Sequence, residues 1–158
     1  MQMIRKANKD DIKAICFLSN EINAEHHEAM PNTFSALGEI VRDADFWLAH
    51  MAREESDILI IERRDEIVGM AAVSIPTSLK PSFLKDKKTC HLTTIVVASF
   101  ARRQGLGKKL IRAVEEHAHE NGASEELLEV MQFNQSAINF YLSLGYGDFS
   151  TKLVKPLK

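Results

Sequence analysis

The stretch HLTTIVVASFARRQGLGKKLIRAVEEHAHENGASEELLEVM, residues 91–131, changes period twice. The strand pattern HLTTIVV gives way to a helical pattern from about Gly105 to Asn121, and after a turn at Gly122 strand character returns in ELLEVM. A strand that feeds a helix and returns to a second strand predicts a parallel pair joined by a right-handed crossover.

Upstream, DILIIER and EIVGMAAVSI flank a charged turn at Arg64 and Asp65 and read as an antiparallel hairpin. Ile58 to Ile61 is apolar on both faces, which predicts a central strand covered on both sides. Residues 2–6 read as an opening strand. Asp10 or Asp11 then caps a helix with apolar face Ile12, Ile15, Cys16 and Ile22, ending near His26. A second helix is expected where Leu37, Ile40, Val41, Ala44, Trp47, Leu48 and Met51 recur at three- and four-residue steps, with HHEAMPNTF as a loop before it. The segment from Pro76 to Lys88, with two prolines and four lysines, is a long loop that either borders a site or is simply solvated. Downstream, Asn134 caps a last helix that turns Ala137, Ile138, Tyr141 and Leu142 inward and stops at Gly145; short strands at about 146–149 and 151–155 come after it. The expectation is an α/β fold of the mixed-sheet (α+β) kind, about seven strands flanked by about four helices, in a single domain spanning 1–158.

Bulk properties narrow the function. The 158 residues suffice for one continuous core, and 45% hydrophobic with 27% charged residues is globular composition. A net charge of -2 supplies no global field for nucleic acid or an anionic membrane, so anion recognition has to be local. Cys16 and Cys90 are too few for a disulfide framework and read as buried free thiols, which fits a cytoplasmic location. The start MQMIRKANKDD lacks the apolar core of a signal peptide, and no apolar run reaches the length of a membrane span.

The helix after HLTTIVV carries its charges in reverse. Arg102, Arg103, Lys108, Lys109 and Arg112 crowd its entry, where the backbone already presents about half a positive charge, and Glu115, Glu116 and Glu120 crowd its exit. An anion at the helix start would turn both features to advantage, and Gly105 and Gly107 would let the backbone approach a phosphate closely. A Rossmann fingerprint would need glycine at Leu110; a P-loop would need glycine at Arg102 and Ser or Thr at Lys109. Neither fits.

The pattern that fits is Arg/Gln-x-x-Gly-x-Gly/Ala, met by Arg102, Gly105 and Gly107 directly after an apolar strand. It resembles the acyl-CoA-binding motif of GNAT-type N-acetyltransferases. NQSAINFYLSLGY, residues 134–146, is similar to that family's second signature, and the order of elements looks like its fold over nearly the whole chain. The resemblance implies transfer of an acetyl group from acetyl-CoA to a primary amine, a small molecule or a protein or peptide amine, by direct attack in a ternary complex, with coenzyme A as product. It implies that the main chain of Ile95, Val96 and Val97 pairs with the pantetheine arm. Pyrophosphate contacts would come from Arg103, Gln104, Gly105, Leu106, Gly107 and Lys108, with Arg102 at the first motif position and Asn134 on the cofactor arm. Ser99 stands where proline is frequent in the family.

Tyr141 looks like the family's proton donor to the departing thiolate. Glu129, a carboxylate interrupting LLEVM, looks like the base, activated by desolvation if it faces a closed cleft; an ordered water is the alternative. Glu25, His26, His27 and Glu28 fall in the region that borders the acceptor pocket in the family. No metal is expected: adjacent histidines do not share an ion, and His117 and His119 do not face each other on a helix. A non-catalytic acyl-CoA sensor is the alternative function. The partners expected are acetyl-CoA and an amine, with neither nucleic acid nor membrane, in a monomer or homodimer.

Overall fold

The computed structural model describes residues 1–77 and 79–158. Strand β1 (Gln2–Lys6) is followed by a 3-10 turn (Lys9–Asp11) and helices α1 (Ile12–Ala29) and α2 (Ala44–Ala52). Strands β2 (Ser56–Arg63), β3 (Glu66–Ser74) and β4 (Thr89–Val97) come next, then a second 3-10 turn (Ser99–Ala101). Helix α3 (Leu106–Glu120), strand β5 (Glu125–Leu128) and helix α4 (Gln135–Ser143) complete the elements. The five strands form one mixed sheet in the order β1-β2-β3-β4-β5, antiparallel until the parallel β4–β5 pair.

The β2–β3 turn places Arg64 and Asp65 at φ 52 and 62, the left-handed pair whose twist matches a two-residue hairpin. Ile58 to Ile61 and Val68 to Val73 are buried throughout, as strands covered on both faces must be. Helix α3 brings Leu106, Leu110, Ile111 and Val114 to the core; α1 brings Ile15, Cys16 and Leu18. Gly69 makes room for α3, since a Cβ there would lie 3.2 Å from Cδ1 of Leu110.

Five expectations change. Asp11 stands at the N-cap of the first helix but makes no side-chain bond into it; the capping box belongs to the 3-10 turn before it, where the Asn8 side chain accepts from Asp10 N–H while Asp11 accepts from Asn8 N–H, and Asp11 is also held by Arg5. That helix runs on to Ala29, so Glu25, His26, His27 and Glu28 lie in its last turns and not in a loop. The second helix starts only at Ala44. Gly38 weakens the preceding helical pattern by about 1 kcal/mol, and Arg42 folds over it to donate to Ala36 O at 2.7 Å, leaving Leu37, Ile40 and Val41 exposed.

In α4 it is Phe140, not Leu142, that packs against the core, because Phe140 fits over Gly107. Residues 146–149 and 151–155 form no strands: Gly145, at φ 96, and Gly147 release the chain from α4, and the segment beyond them makes no ladder with β5.

Candidate active site

Strands β4 and β5 are paired only from Thr89↔Glu125 to Leu92↔Leu128, and β4 then continues alone to Val97. On its other side β4 stays bonded to β3, with a register shift between Ala72 and Val73. Ala98 N–H donates to Val68 O at 2.8 Å. By the two-residue alternation of an antiparallel ladder, the main chain of Val96 therefore also faces β3, opposite Met70, and that of Ile95 and Val97 faces the open side. This corrects the expectation for Val96. An added extended segment would find its hydrogen-bonding groups on Ile95 and Val97.

The turn after β4 is held from α1. The carboxylate of Glu21 accepts from Ser99 N–H (2.8 Å) and from Ser99 Oγ–H (3.2 Å). A proline here would have no N–H to give, so the departure from the family's frequent residue has a use in this chain. Four residues along α1, Glu25 pairs with Arg102 at 2.8 Å, and Arg102 Nε donates to Val97 O at 3.1 Å. Arg102 thus ties α1, the turn and the open end of β4 together. Neither glutamate was singled out from the sequence as holding this turn; their four-residue spacing was the available signal.

Arg103 (φ 61) and Gly105 (φ 77) are both left-handed and curl the chain into the start of α3. A left-handed arginine costs about 1–2 kcal/mol, and such turns make anion-binding concavities of successive N–H groups. Gly105 is the N-cap and offers no side chain; the first helical bond is Lys109 N–H to Gly105 O. The N–H groups of Leu106, Gly107 and Lys108 find no acceptor among the described residues. No acidic side chain lies in this first turn. Leu106 anchors it from the core side, Gln104 accepts from Arg63, and Lys109 donates to Gln2. Arg103 and Lys108 are exposed and form no ion pair among the described residues. Free N–H groups beside free cations fit the diphosphate of a nucleotide-type acyl donor.

The two glycines do different things. A Cβ on Gly105 would meet nothing within 4 Å, so that position is open and its glycine answers to φ. A Cβ on Gly107 would lie 3.2 Å from Cζ of Phe140. The missing side chain at Gly107 serves the close packing of α4 on α3, while its N–H stays without an acceptor among the described residues.

Asn134 Oδ1 accepts from Ala137 N–H at 3.2 Å and caps α4, which leaves its amide N–H₂ for other partners. Tyr141 is largely buried beside Phe140 and Tyr146, with ring centroids 5.5 and 5.7 Å away. Burial pushes its phenol up, so it stays protonated through neutral pH. Its hydroxyl has no hydrogen-bond partner among the described residues and keeps contact with solvent. Tyr146 instead donates to Glu126 on β5.

Glu129 does not sit in a closed cleft. It lies one residue past β5, exposed, and pairs with Lys152 at 3.1 Å, so the desolvation expected of a base is missing. His26 Nδ1–H donates to Ile22 O (2.8 Å), and the ring stacks edge-on with Phe34 and Phe133, joining the α1–α2 connection to the β5–α4 connection. Cys16 and Cys90 are buried and unpaired. Burial, reinforced by Glu126, pushes the Cys90 thiol up to about 12. Among the described residues no group of three or more His, Cys, Asp or Glu is placed to hold a metal ion, and no helix is long and apolar enough to cross a membrane.

A mixed sheet parting at β4 and β5 above an uncapped, cation-rimmed helix start belongs to the acetyltransferase class of fold. The chain is a member of the acetyltransferase (GNAT) family, whose sequence profile matches residues 19–146, and is an acetyl-CoA-dependent acetyltransferase. It is 29% identical over 145 residues to the uncharacterized N-acetyltransferase YhfO of Bacillus subtilis, covering 90% of this chain and 88% of that one. Among solved structures it resembles the tetramutant of BH1408 from Bacillus halodurans (TM-score 0.91, 21% identity, 98% and 99% of the two chains). It also resembles the aminoglycoside N-acetyltransferase AAC(6')-Iy in complex with CoA (TM-score 0.74, 18% identity, 100% and 95%).

Proposed function

We propose that this protein transfers the acetyl group of acetyl-CoA to a primary amine, of a small molecule or of a peptide, by direct attack in a ternary complex. The observation that carries the reading is the start of α3: three N–H groups without acceptors, a left-handed turn, and the unpaired cations Arg103 and Lys108 beside the open edge of β4. Arg103, Lys108 and the N–H groups of Leu106, Gly107 and Lys108 would hold the diphosphate; Ile95 and Val97 would hold the extended arm as an added strand. Gln104 and Gly105 shape the turn, Arg102 braces it, and the amide N–H₂ of Asn134, left over from its capping bond, would donate to the arm.

Acetyl-CoA supplies a thioester whose C–S bond breaks as the C–N bond to the amine forms. The amine loses one proton and the sulfur gains one. Tyr141, buried and protonated, is the donor to the sulfur. The exposed, ion-paired Glu129 supports the water-mediated route for the amine proton over direct removal by that carboxylate. Two buried free thiols outside this constellation fit a reaction without an acyl-enzyme, in a reducing cytoplasm.

The test is calorimetric binding of acetyl-CoA followed by an amine-library screen read by mass spectrometry and thiol release. Binding with acetylation of a defined amine class is expected. Absence of binding at millimolar acetyl-CoA overturns the reading, and binding without turnover on any amine converts the protein into an acyl-CoA sensor.

A further inference from the structure

Direct acetyl transfer requires a holder for two protons. Tyr141 serves the sulfur, but Glu129, exposed and paired with Lys152 at 3.1 Å, is no desolvated base for the amine. Some other group has to receive the proton that the attacking nitrogen sheds.

The last two turns of α1 carry two imidazoles, and hydrogen bonding fixes the tautomer of both. His26 Nδ1–H donates to Ile22 O at 2.8 Å and His27 Nδ1–H to Phe34 O at 2.7 Å, since a carbonyl can only accept. In each neutral ring Nε2 is then the bare nitrogen. Adjacent residues on a helix point about 100° apart, and their contacts separate the two. His27 ties α1 to the connection that follows it. Among the described aromatic contacts only His26 also reaches the far side: its ring meets Phe34 at 4.8 Å and Phe133 at 5.2 Å, edge-on to both.

Phe133 stands directly before Asn134, the cap of α4, on the connection that leaves β5, while Glu21 and Glu25 on α1 hold the turn that follows β4. The imidazole of His26 therefore spans the mouth of the cleft in which β4 and β5 part beyond Leu92 and Leu128. Its Nε2 has no hydrogen-bond partner among the described residues and keeps contact with solvent. The carboxylates near it in sequence are engaged or turned out: Glu25 pairs with Arg102, and Glu28 is exposed. A half-buried ring walled by two phenyl groups, with one nitrogen anchored and the other bare, is a pre-oriented proton acceptor.

We infer that His26 Nε2 receives the proton of the attacking amine at the end of the water-mediated route, an assignment that rests on the acetyl transfer proposed above and names the base in it. As the C–N bond forms, the proton of the nitrogen passes through one water to Nε2; the C–S bond breaks, and the thiolate takes the proton of Tyr141. The imidazolium and the tyrosinate left behind differ by one proton, which solvent carries from the first to the second, so the protein returns to its starting state.

Three variants test this, each assayed with acetyl-CoA and the library amine that the wild type acetylates fastest. His26→Asn keeps a donor near Ile22 O and removes the bare nitrogen; His26→Phe keeps a ring between Phe34 and Phe133 and removes both nitrogens. Both are expected to bind acetyl-CoA within about twofold of the wild type by calorimetry and to lose about 100-fold in turnover, the size of a missing general base. His26→Ala opens a gap between the two phenyl rings, and added imidazoles are expected to restore its turnover in the order of their basicity.

Turnover by His26→Phe close to that of the wild type overturns the inference, because the ring then only packs. So does a slow His26→Ala that no imidazole accelerates. Both results leave acetyl transfer standing, whereas a wild type that binds acetyl-CoA and acetylates no amine removes the transfer itself and the base with it.

Discussion

A methyl group added to Gly105 meets open space, whereas one added to Gly107 meets the ring of Phe140 at 3.2 Å. The two substitutions therefore fail for separate reasons. Gly105→Ala strains a residue held at φ 77 by about 1–2 kcal/mol and is expected to weaken acetyl-CoA binding severalfold, whatever stands at position 140. Gly107→Ala pushes α4 outward and is expected to be relieved by Phe140→Leu, so that a double-mutant cycle in thermal stability shows coupling for 107 with 140 and none for 105 with 140. At Tyr141 the phenyl ring packs and the hydroxyl reaches a solvent-touched position, so Tyr141→Phe keeps the packing and removes only the hydroxyl. Steady-state kinetics should show kcat lowered about 100-fold, within the range for loss of a general acid, with KM for acetyl-CoA within about twofold.

At the scale of elements, the inverted charge order of α3 becomes intelligible from what its neighbours do. Glu21 and Glu25 on α1 fix Ser99 and Arg102, and Arg103 and Lys108 are left without an acidic partner among the described residues. Arg103→Ala with Lys108→Ala is expected to raise the acetyl-CoA Kd at least tenfold and to flatten its dependence on salt. Glu25→Gln, which frees Arg102 from its brace, should weaken binding less and leave the salt dependence intact; isothermal calorimetry between 50 and 500 mM salt separates the two.

The strand–helix–strand unit of residues 91–131 and the β2–β3 hairpin were legible because their periods reflect burial that the finished sheet provides. The run from Leu37 to Val41 and residues 147–155 have equally good patterns and stay exposed. A pattern states which face a segment offers; whether another surface receives it is settled elsewhere in the chain, or in a second chain. What Gly107 and Glu129 touch was not legible for the same reason, since a packed phenyl ring and a distant lysine leave no mark at their own positions.

Across the whole molecule, proton linkage pulls in opposite directions at two carboxylates. Asp11 is held below its ordinary range chiefly by its hydrogen bonds to Arg5, at 2.9 and 3.0 Å, which join β1 to the entry of α1. A lowered folded pKa means stability that is present above the ordinary value near 4 and lost as the pH falls through the folded one. Glu126 is pushed up, first by burial, and Glu115 adds to the effect against the bond from Tyr146. A raised folded pKa in a carboxyl means the reverse: its contribution is intact below about 4.5 and is lost as the pH rises through the folded value. Asp11→Asn should thus lower Tm at pH 7 by roughly 4–8 °C, for a charge-assisted pair worth about 2 kcal/mol, with the difference shrinking towards pH 3. Glu126→Gln should be neutral at pH 4, where the carboxyl is itself uncharged, and should gain on the wild type as the pH rises to 8. Melting curves of the three proteins from pH 3 to 8 decide the matter; a Glu126→Gln gain that is largest at acid pH would show that the buried carboxyl titrates opposite to this account.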